Sequence, residues 1–266
     1  MRVHVIGAGM VGLATGRAFT RFGHDIYYSD NNPAAKNKLT KQELENWVNL
    51  DAMFDMRMHF VCVPETAVEE VVKGLGQKKG AIIIRSTVPP GTTERLTQES
   101  GRPIYHVPEF LREATAEDDV LFAEYVIIGK PNYYGYIHDM YEQDLHTLYE
   151  SMNKRVIKCT STESELVKLI TNNHLATLIS FWNEVKLLCD KLQVNSHRVA
   201  NLVTLDTRVS KYGALKHGAA YGGACLPKDV KQMLAFAHTT LATTGGDPLT
   251  PLLYAVQDIN KWYGGE

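Results

Sequence analysis

The stretch that decides the fold is residues 2–30, "RVHVIGAGMVGLATGRAFTRFGHDIYYSD". Val3, Val5 and Ile6 form a short apolar run that reads as a buried strand. Gly7, Gly9 and Gly12 then fit G-x-G-x-x-G, and a helix is predicted to about Phe22, where Gly23 stops it. Ile26 to Tyr28 read as a second strand, and Asp30 stands at its end, 18 residues after Gly12. Strand, glycine turn, helix, strand and acid together make the setting in which this pattern binds a dinucleotide. Gly7 permits the tight turn, Gly9 lets a diphosphate approach the backbone, and Gly12 lets helix and strand pack closely. Met10 and Val11 complete the turn, whose helix N-terminus attracts the phosphate charge. The acid accepts from the ribose hydroxyls and repels a 2'-phosphate, so the expected cofactor is NAD, not NADP.

Further apolar runs follow at 58–63, 81–87, 103–107 and 125–129, with helical stretches such as 66–74 between most of them. Alternation of this kind predicts a doubly wound, mostly parallel sheet with helices on both faces. Ligands of such sheets bind at the carboxyl ends of the strands. Here those ends read "VPET", "RSTVPPGTT" and "HVPEFLRE". Val63, Pro64, Ser86 and Thr87 are therefore placed on the dinucleotide. After Pro131 the pattern changes. Residues 133–150 read as a helix, "RVIKC" as a last strand, and 161–193 as one long helix capped by Ser161 or Thr162, with Glu163 and Glu165 favourable at its positive end. Its apolar residues fall on more than one face, which predicts burial on two sides, one of them against a second subunit. A helix near 196–204 and a Gly/Ala-rich loop over 205–224 follow. A helix opened by Pro227 then runs to about Leu241, a break falls at "TTGGDP", and a last helix covers 249–263. The expected organisation is an α/β Rossmann-type domain over 1–159 and an all-helical domain over 160–266.

The chain has 266 residues and a formal net charge of -2, so no strongly basic surface is expected and nucleic acid is not an expected partner. No apolar run is long enough to span a bilayer, and the N-terminus has no leader-like stretch. Cys62, Cys159, Cys189 and Cys225 form no CxxC pair and have neither disulfide-framework nor metal-site spacing, so a reducing, cytoplasmic setting without a metal is expected.

Cys225 is set apart by its surroundings, "YGGACLPKDV" over 221–230. Pro227 suits the first turn of a helix. The cysteine then lies at a helix N-terminus beside Lys228, and both features favour a thiolate. Gly222 and Gly223 leave room for a substrate. A small apolar residue in a turn is the competing reading. Lys168 and Asn172 stand four apart on one face of the long helix, and Glu109 and Glu113 are four apart in "PEFLRE". Taken singly, Lys168 reads as a solvated charge and Glu113 as a surface acid.

Taken together, "VIGAGMVGL", "FVCVPET", "IIIRSTVPPGTT", "PEFLRE", "YVIIG", "ELVKLITNNHLATLISFWNE" and "YGGACLPKD" resemble, in order, the UDP-glucose/GDP-mannose dehydrogenase family. The resemblance implies NAD-dependent, four-electron oxidation of a nucleotide-sugar alcohol to a uronic acid. It implies that Cys225 is the nucleophile, that Lys168 and Asn172 stabilise negative charge at the sugar carbon, and that Asp229 works with a bound water. Thr87 and Glu109 would position or activate water, and Glu113 would lie near the nicotinamide. Phe110, Leu111, Arg112, Tyr221, Gly222, Lys228 and Arg208 would contact substrate together with Glu109, Lys168 and Asn172, Arg208 reaching across a homodimer. Met10 departs from an aromatic, Glu65 from a threonine, and "HVPEF" from a more polar lead-in. Family members also carry a third domain that covers the nucleotide. This sequence ends at Glu266 before one, so the nucleotide grip is expected to differ, to come from a partner, or to be lost in a degenerate relative. Two other readings are a two-electron β-hydroxyacid dehydrogenase, which needs no thiol, and a non-catalytic NAD-binding partner of a full-length dehydrogenase.

Overall fold

Strand β4 shows how the first half of the chain is built: all four of its residues, Ala81–Ile84, are buried, and they alternate between two cores. Ala81 and Ile83 pack on one face of the sheet, Ile82 and Ile84 on the other. A strand covered on both faces needs a continuous apolar run instead of an alternating one. The computed structural model describes residues 1–50, 55–132, 136–241 and 250–265. It divides into two compact units, Met1–Lys168 and Leu169–Glu266. The sequence places the division at 159/160; the observed one falls inside the long helix.

In the first unit the order is β1 (Arg2–Ile6), α1 (Met10–Arg21), β2 (Asp25–Ser29), α2 (Lys41–Glu45), β3 (Met58–Val61), α3 (Glu65–Leu75), β4, α4 (Thr92–Ser100), β5 (Ile104–His106), α5 (Ala116–Phe122), β6 (Tyr125–Lys130), α6 (Tyr136–Ser151), β7 (Arg155–Thr160) and the start of α7 (Ser161–Lys191). The sheet order is β2-β1-β3-β4-β5-β6-β7, parallel except where β6 runs against β5. The short helices α2, α5 and α4, of 5, 7 and 9 residues, are too brief for periodicity to show. The cap of α7 is Thr160, not Ser161 or Thr162. Its hydroxyl accepts from Glu163 N (3.2 Å) while the Glu163 carboxylate accepts from Thr160 N (2.7 Å), a reciprocal capping box.

A polar chain crosses the sheet beneath the glycine turn. His4 and His59 are opposite each other on β1 and β3 and fully buried. The His59 Nε2–H must donate to the Lys79 carbonyl (2.8 Å), which leaves its Nδ1 to accept from His4 Nδ1–H (3.1 Å); His4 Nε2 then accepts from the Ser29 hydroxyl (2.8 Å). One tautomer of each ring satisfies every partner, and both rings must be neutral. Burial is the main cause that lowers the two to about 3 and about 4.

The second unit contains the rest of α7 with α8 (Ser196–Val203), α9 (Lys211–Ala214), α10 (Leu226–Leu241) and α11 (Pro251–Trp262). The stretch 205–224, read as loop, holds the four-residue α9 and is otherwise irregular. Its place is fixed by polar contacts. Asn183 donates to the Ala219 carbonyl (2.9 Å) and accepts from Gly218 N (2.7 Å). A Cβ on Gly213 would meet the Leu178 carbonyl at 2.3 Å, so only glycine lets α9 lie against α7. The expected break at 243–248 lies outside the described residues. Among the described residues no helix is long and apolar enough to cross a membrane.

Acid should weaken the first unit through its histidines. Their folded pKa values lie below the unfolded value near 6.5, so stability is present above pH 6.5 and falls as pH drops from there toward about 4. The expected slope is up to about 1.4 kcal/mol per pH unit for each histidine that stays neutral. Urea titrations of wild type and His59→Asn at pH 7 and pH 5 check this; a wild type no more pH-sensitive than the variant would contradict it.

Candidate active site

The glycine turn opens a groove on the first unit. Gly7 has φ +94°, and a Cβ there would strike the Cys62 carbonyl at 2.5 Å; one on Gly12 would meet the Gly7 carbonyl at 1.9 Å. Gly9 faces open space, with nothing within 4 Å of where its Cβ would stand. Gly9 is also the N-cap of α1 and offers no side-chain cap, so the first N–H groups of that helix remain available to an anion. Asp30 accepts from Ala8 N through Oδ2 and from Asn32 N through Oδ1, both at 2.8 Å, which aims its carboxylate along the turn. A cavity of about 490 Å³ lies here, lined by Gly7, Gly9, Asp30, Val63 and Pro64. Open space over Gly9, an uncapped helix and an anchored acid fit a dinucleotide. Ser86 Oγ donates to the Val63 carbonyl (2.6 Å) and so ties the end of β4 to this wall. Cys62 also lines the cavity, and burial pushes its thiol up to about 12, so it has no thiolate character. Thr87 is buried. Glu113 is exposed and borders a second cavity with Met10. Val11 lies one residue into α1.

At the end of β5, Glu109 forms a buried ion pair with Lys168, Oε1 to Nζ at 3.0 Å. The other carboxylate oxygen accepts from Leu111 N (2.7 Å), and the ammonium lies 5.4 Å from the centre of the Phe110 ring. Lys168 is 3% exposed, so it is no solvated helix charge. Arg112 is the opposite case: it is exposed and paired with Asp119.

Sequence reasoning missed Glu165. It was placed at the positive end of α7, but the side chain is fully buried and caps another helix. It accepts from Gly91 N (2.6 Å), Thr93 N (2.8 Å) and Thr93 Oγ1 (2.6 Å) at the start of α4. Burial is the main cause that raises its pKa, against those hydrogen bonds. The partners lie 72 and 74 positions away, so no local pattern announces the role.

In the second unit Cys225 immediately precedes α10, and none of the four cysteines is in a disulfide. Asp229, one turn on, is fully buried. Asn172 Nδ2 donates to its Oδ2 (2.5 Å), Lys228 Nζ pairs with its Oδ1, and Asn173 Nδ2 donates to its main-chain carbonyl (3.2 Å). Gly222 faces open space and Gly223 has φ +75°. Tyr221 is packed in the core with Ala176 and Ile179, and burial pushes its hydroxyl up to about 12. Arg208 is exposed and paired with Asp206 at 2.6 Å.

Comparison with known proteins identifies the family. Residues 53–153 match the profile of the UDP-glucose/GDP-mannose dehydrogenase family, NAD binding domain, and residues 162–262 match that of its central domain. Residues 2–89 also match a profile described as NADP oxidoreductase, coenzyme F420-dependent. UDP-glucose 6-dehydrogenase of Rickettsia typhi is 29% identical over 86% of this chain and 61% of that enzyme. Putative UDP-glucose 6-dehydrogenase YtcA of Bacillus subtilis is 30% identical over 98% of this chain and 67% of that protein. The solved UDP-glucose dehydrogenase of Pyrobaculum islandicum superimposes with a TM-score of 0.83 at 26% identity, over 98% of this chain and 68% of that one. The chain thus spans about two-thirds of the length of these relatives.

The buried pair gives a direct test. Lys168→Met strands the Glu109 charge and should cost about 3–5 kcal/mol in urea unfolding. Adding Glu109→Gln removes that charge and should recover a large part of the loss. Simply additive costs would contradict the coupling.

Proposed function

Because the chain belongs to the UDP-glucose/GDP-mannose dehydrogenase family, we propose that it is a nucleotide-sugar 6-dehydrogenase. It oxidises the C6 alcohol of a nucleotide sugar, UDP-glucose by default, to the uronic acid with NAD. The observation that carries this reading is the first turn of α10. A cysteine at the helix start is followed one turn later by a fully buried aspartate engaged by an asparagine and a lysine. A buried carboxylate with polar partners is a poor way to stabilise a helical core, and such groups gather where chemistry is done.

NAD would be held along the glycine turn and Asp30, where it would supply the hydride acceptor for both oxidations. Each protein residue then has a stated task. Lys168 and Asn172 stabilise negative charge as the C6 hydroxyl loses its proton to water or to a lysine-assisted base. Once C6 is an aldehyde, the Cys225 thiolate adds to it, because an aldehyde has no good hydride to give until a nucleophile has added. Loss of the C6 hydride from that thiohemiacetal leaves a thioester. Water, activated at Asp229 and positioned by Thr87 and Glu109, cleaves the thioester and returns the thiol. The sum is alcohol plus water plus two NAD⁺ giving carboxylate, two NADH and three protons. The 109–112 loop, Tyr221, Gly222 and Lys228 are assigned to the substrate, Glu113 to the nicotinamide, and Arg208 to a partner subunit's substrate. The chemistry needs a reduced Cys225, which a cytoplasmic setting provides.

The dimer reading is supported by the second apolar face of α7, where Ile170, Phe181, Leu188 and Leu192 beyond its end are all more than half exposed. Groups of this size left open together mark an interface.

Two outcomes are expected. Purified chain given NAD and UDP-glucose should form two NADH per sugar consumed, and Cys225→Ala should form no acid. One NADH per sugar, with Cys225→Ala unaffected, would favour the two-electron reading; NAD binding with no turnover of any nucleotide sugar would favour the non-catalytic one. Light scattering at micromolar concentration should give a dimer that Leu188→Asp converts to monomer, and a wild-type monomer would contradict the interface.

A further inference from the structure

Among the described residues of the first unit, Arg85, Arg102 and Lys154 are buried with no carboxylate in an ion pair, and two of them, Arg85 and Lys154, line one cavity. Arg85, just past β4, is 5% exposed; its Nη1 donates to the Tyr149 hydroxyl (3.1 Å), and its Nε is buried without a partner. Lys154 is 6% exposed, and its ammonium is held by the carbonyls of Leu121 and Ala123, both at 2.6 Å. Main-chain bonding joins the two sites, since Lys154 N donates to the Tyr149 carbonyl (3.1 Å). Arg85, Tyr149 and Lys154 all line one cavity of about 450 Å³. A desolvated guanidinium whose side-chain partner is a neutral phenol is a stability liability that an anion in the cavity it lines would relieve. The Tyr149 hydroxyl accepts from Arg85 and so keeps its own proton to donate.

The cavity also defines the body of its ligand. Phe110, Phe122 and Tyr125 line it and are all exposed, which gives the mouth an aromatic rim. Its acids are of two kinds. Glu109 is engaged by Lys168 and Leu111 N, and Asp119 by Arg112. Asp118 and Glu124 are exposed at the cavity and repel a multiply charged group. We propose that this cavity is a binding site for a small monocarboxylate with an aromatic body, its carboxylate on Arg85 and Tyr149 and its ring among Phe110, Phe122 and Tyr125. The volume is in the range of small-molecule sites. The cavity shares its 109–112 wall with the loop assigned above to the nucleotide sugar, while Arg85, Tyr149, Phe122 and Tyr125 are its own.

Benzoate is the probe, with benzamide as its neutral counterpart and inorganic phosphate as the multiply charged one. All are titrated against the full chain in saturating NAD, which keeps them out of the dinucleotide groove, and read by calorimetry and thermal melting. The expected result is saturable benzoate binding that raises the Tm, with neither benzamide nor phosphate reproducing it. Tyr149→Phe should weaken benzoate about tenfold or more. Arg85→Met should abolish binding while melting at or above the wild type, because the charge it removes is unpaired. No benzoate binding to wild type, binding retained in Arg85→Met, or equal binding of benzamide or phosphate would overturn the site. So would an Arg85→Met chain that folds but melts well below wild type, since Arg85 would then be structural. Should Arg85→Met fail to fold, Tyr149→Phe and Lys154→Met carry the test, and unchanged benzoate affinity in both overturns it.

Discussion

The first unit depends on one buried carboxylate. Glu165 accepts three hydrogen bonds at the start of α4, supplying the cap that the glycine there lacks. The contact holds the first turns of α7 against the loop that follows β4. Three residues on, almost one helical turn, Lys168 meets Glu109 at the end of β5. A helix held only by apolar packing could slide or rotate slightly at small cost. A carboxylate that must match three fixed donors cannot, and a misplaced Glu165 would be a buried charge without partners. The position of Lys168 therefore follows from that of Glu165.

The second unit repeats the device with Asp229. Its side chain and its main-chain carbonyl are both engaged by consecutive asparagines of α7, Asn172 and Asn173. Two adjacent side chains acting on one residue fix the axial position of the first turn of α10, and with it Cys225. In both units, polar groups that are expensive to bury set the geometry, while the apolar cores set only which faces meet. That division of labour is the pattern expected when a site must be held more tightly than hydrophobic packing alone achieves.

Much of this was legible in the sequence, for identifiable reasons. The first βαβ unit reads directly because each glycine answers a steric demand: without Gly12 the Gly7 carbonyl would sit 1.9 Å from a Cβ. The long helix reads because it lacks Gly and Pro for thirty residues, and the start of α10 reads because Pro227 marks it. The reversal of β6 against β5 was not legible, since strand direction leaves no mark in an apolar run. Short elements such as α9 fell below the length at which periodicity shows. At the site, Lys168 and Glu109 were each recognisable, but their contact was not, because residues 59 positions apart in the sequence carry no sign of one another. Glu165 and Arg85 were missed for the same reason: a helix-terminal acid and a strand-end arginine look like surface charges until burial is known.

Cys225 is proposed to hold the substrate covalently from the aldehyde through the second oxidation, as a thiohemiacetal and then as a thioester. The most direct measurement is peptide mass spectrometry after acid quench of the chain turning over UDP-glucose with NAD. The account predicts an acyl adduct of the sugar nucleotide on the peptide that contains Cys225, and its absence from peptides of Cys62, Cys159 and Cys189. Steady NADH formation with no adduct on Cys225 at any quench time, or with the adduct on another residue, would contradict it.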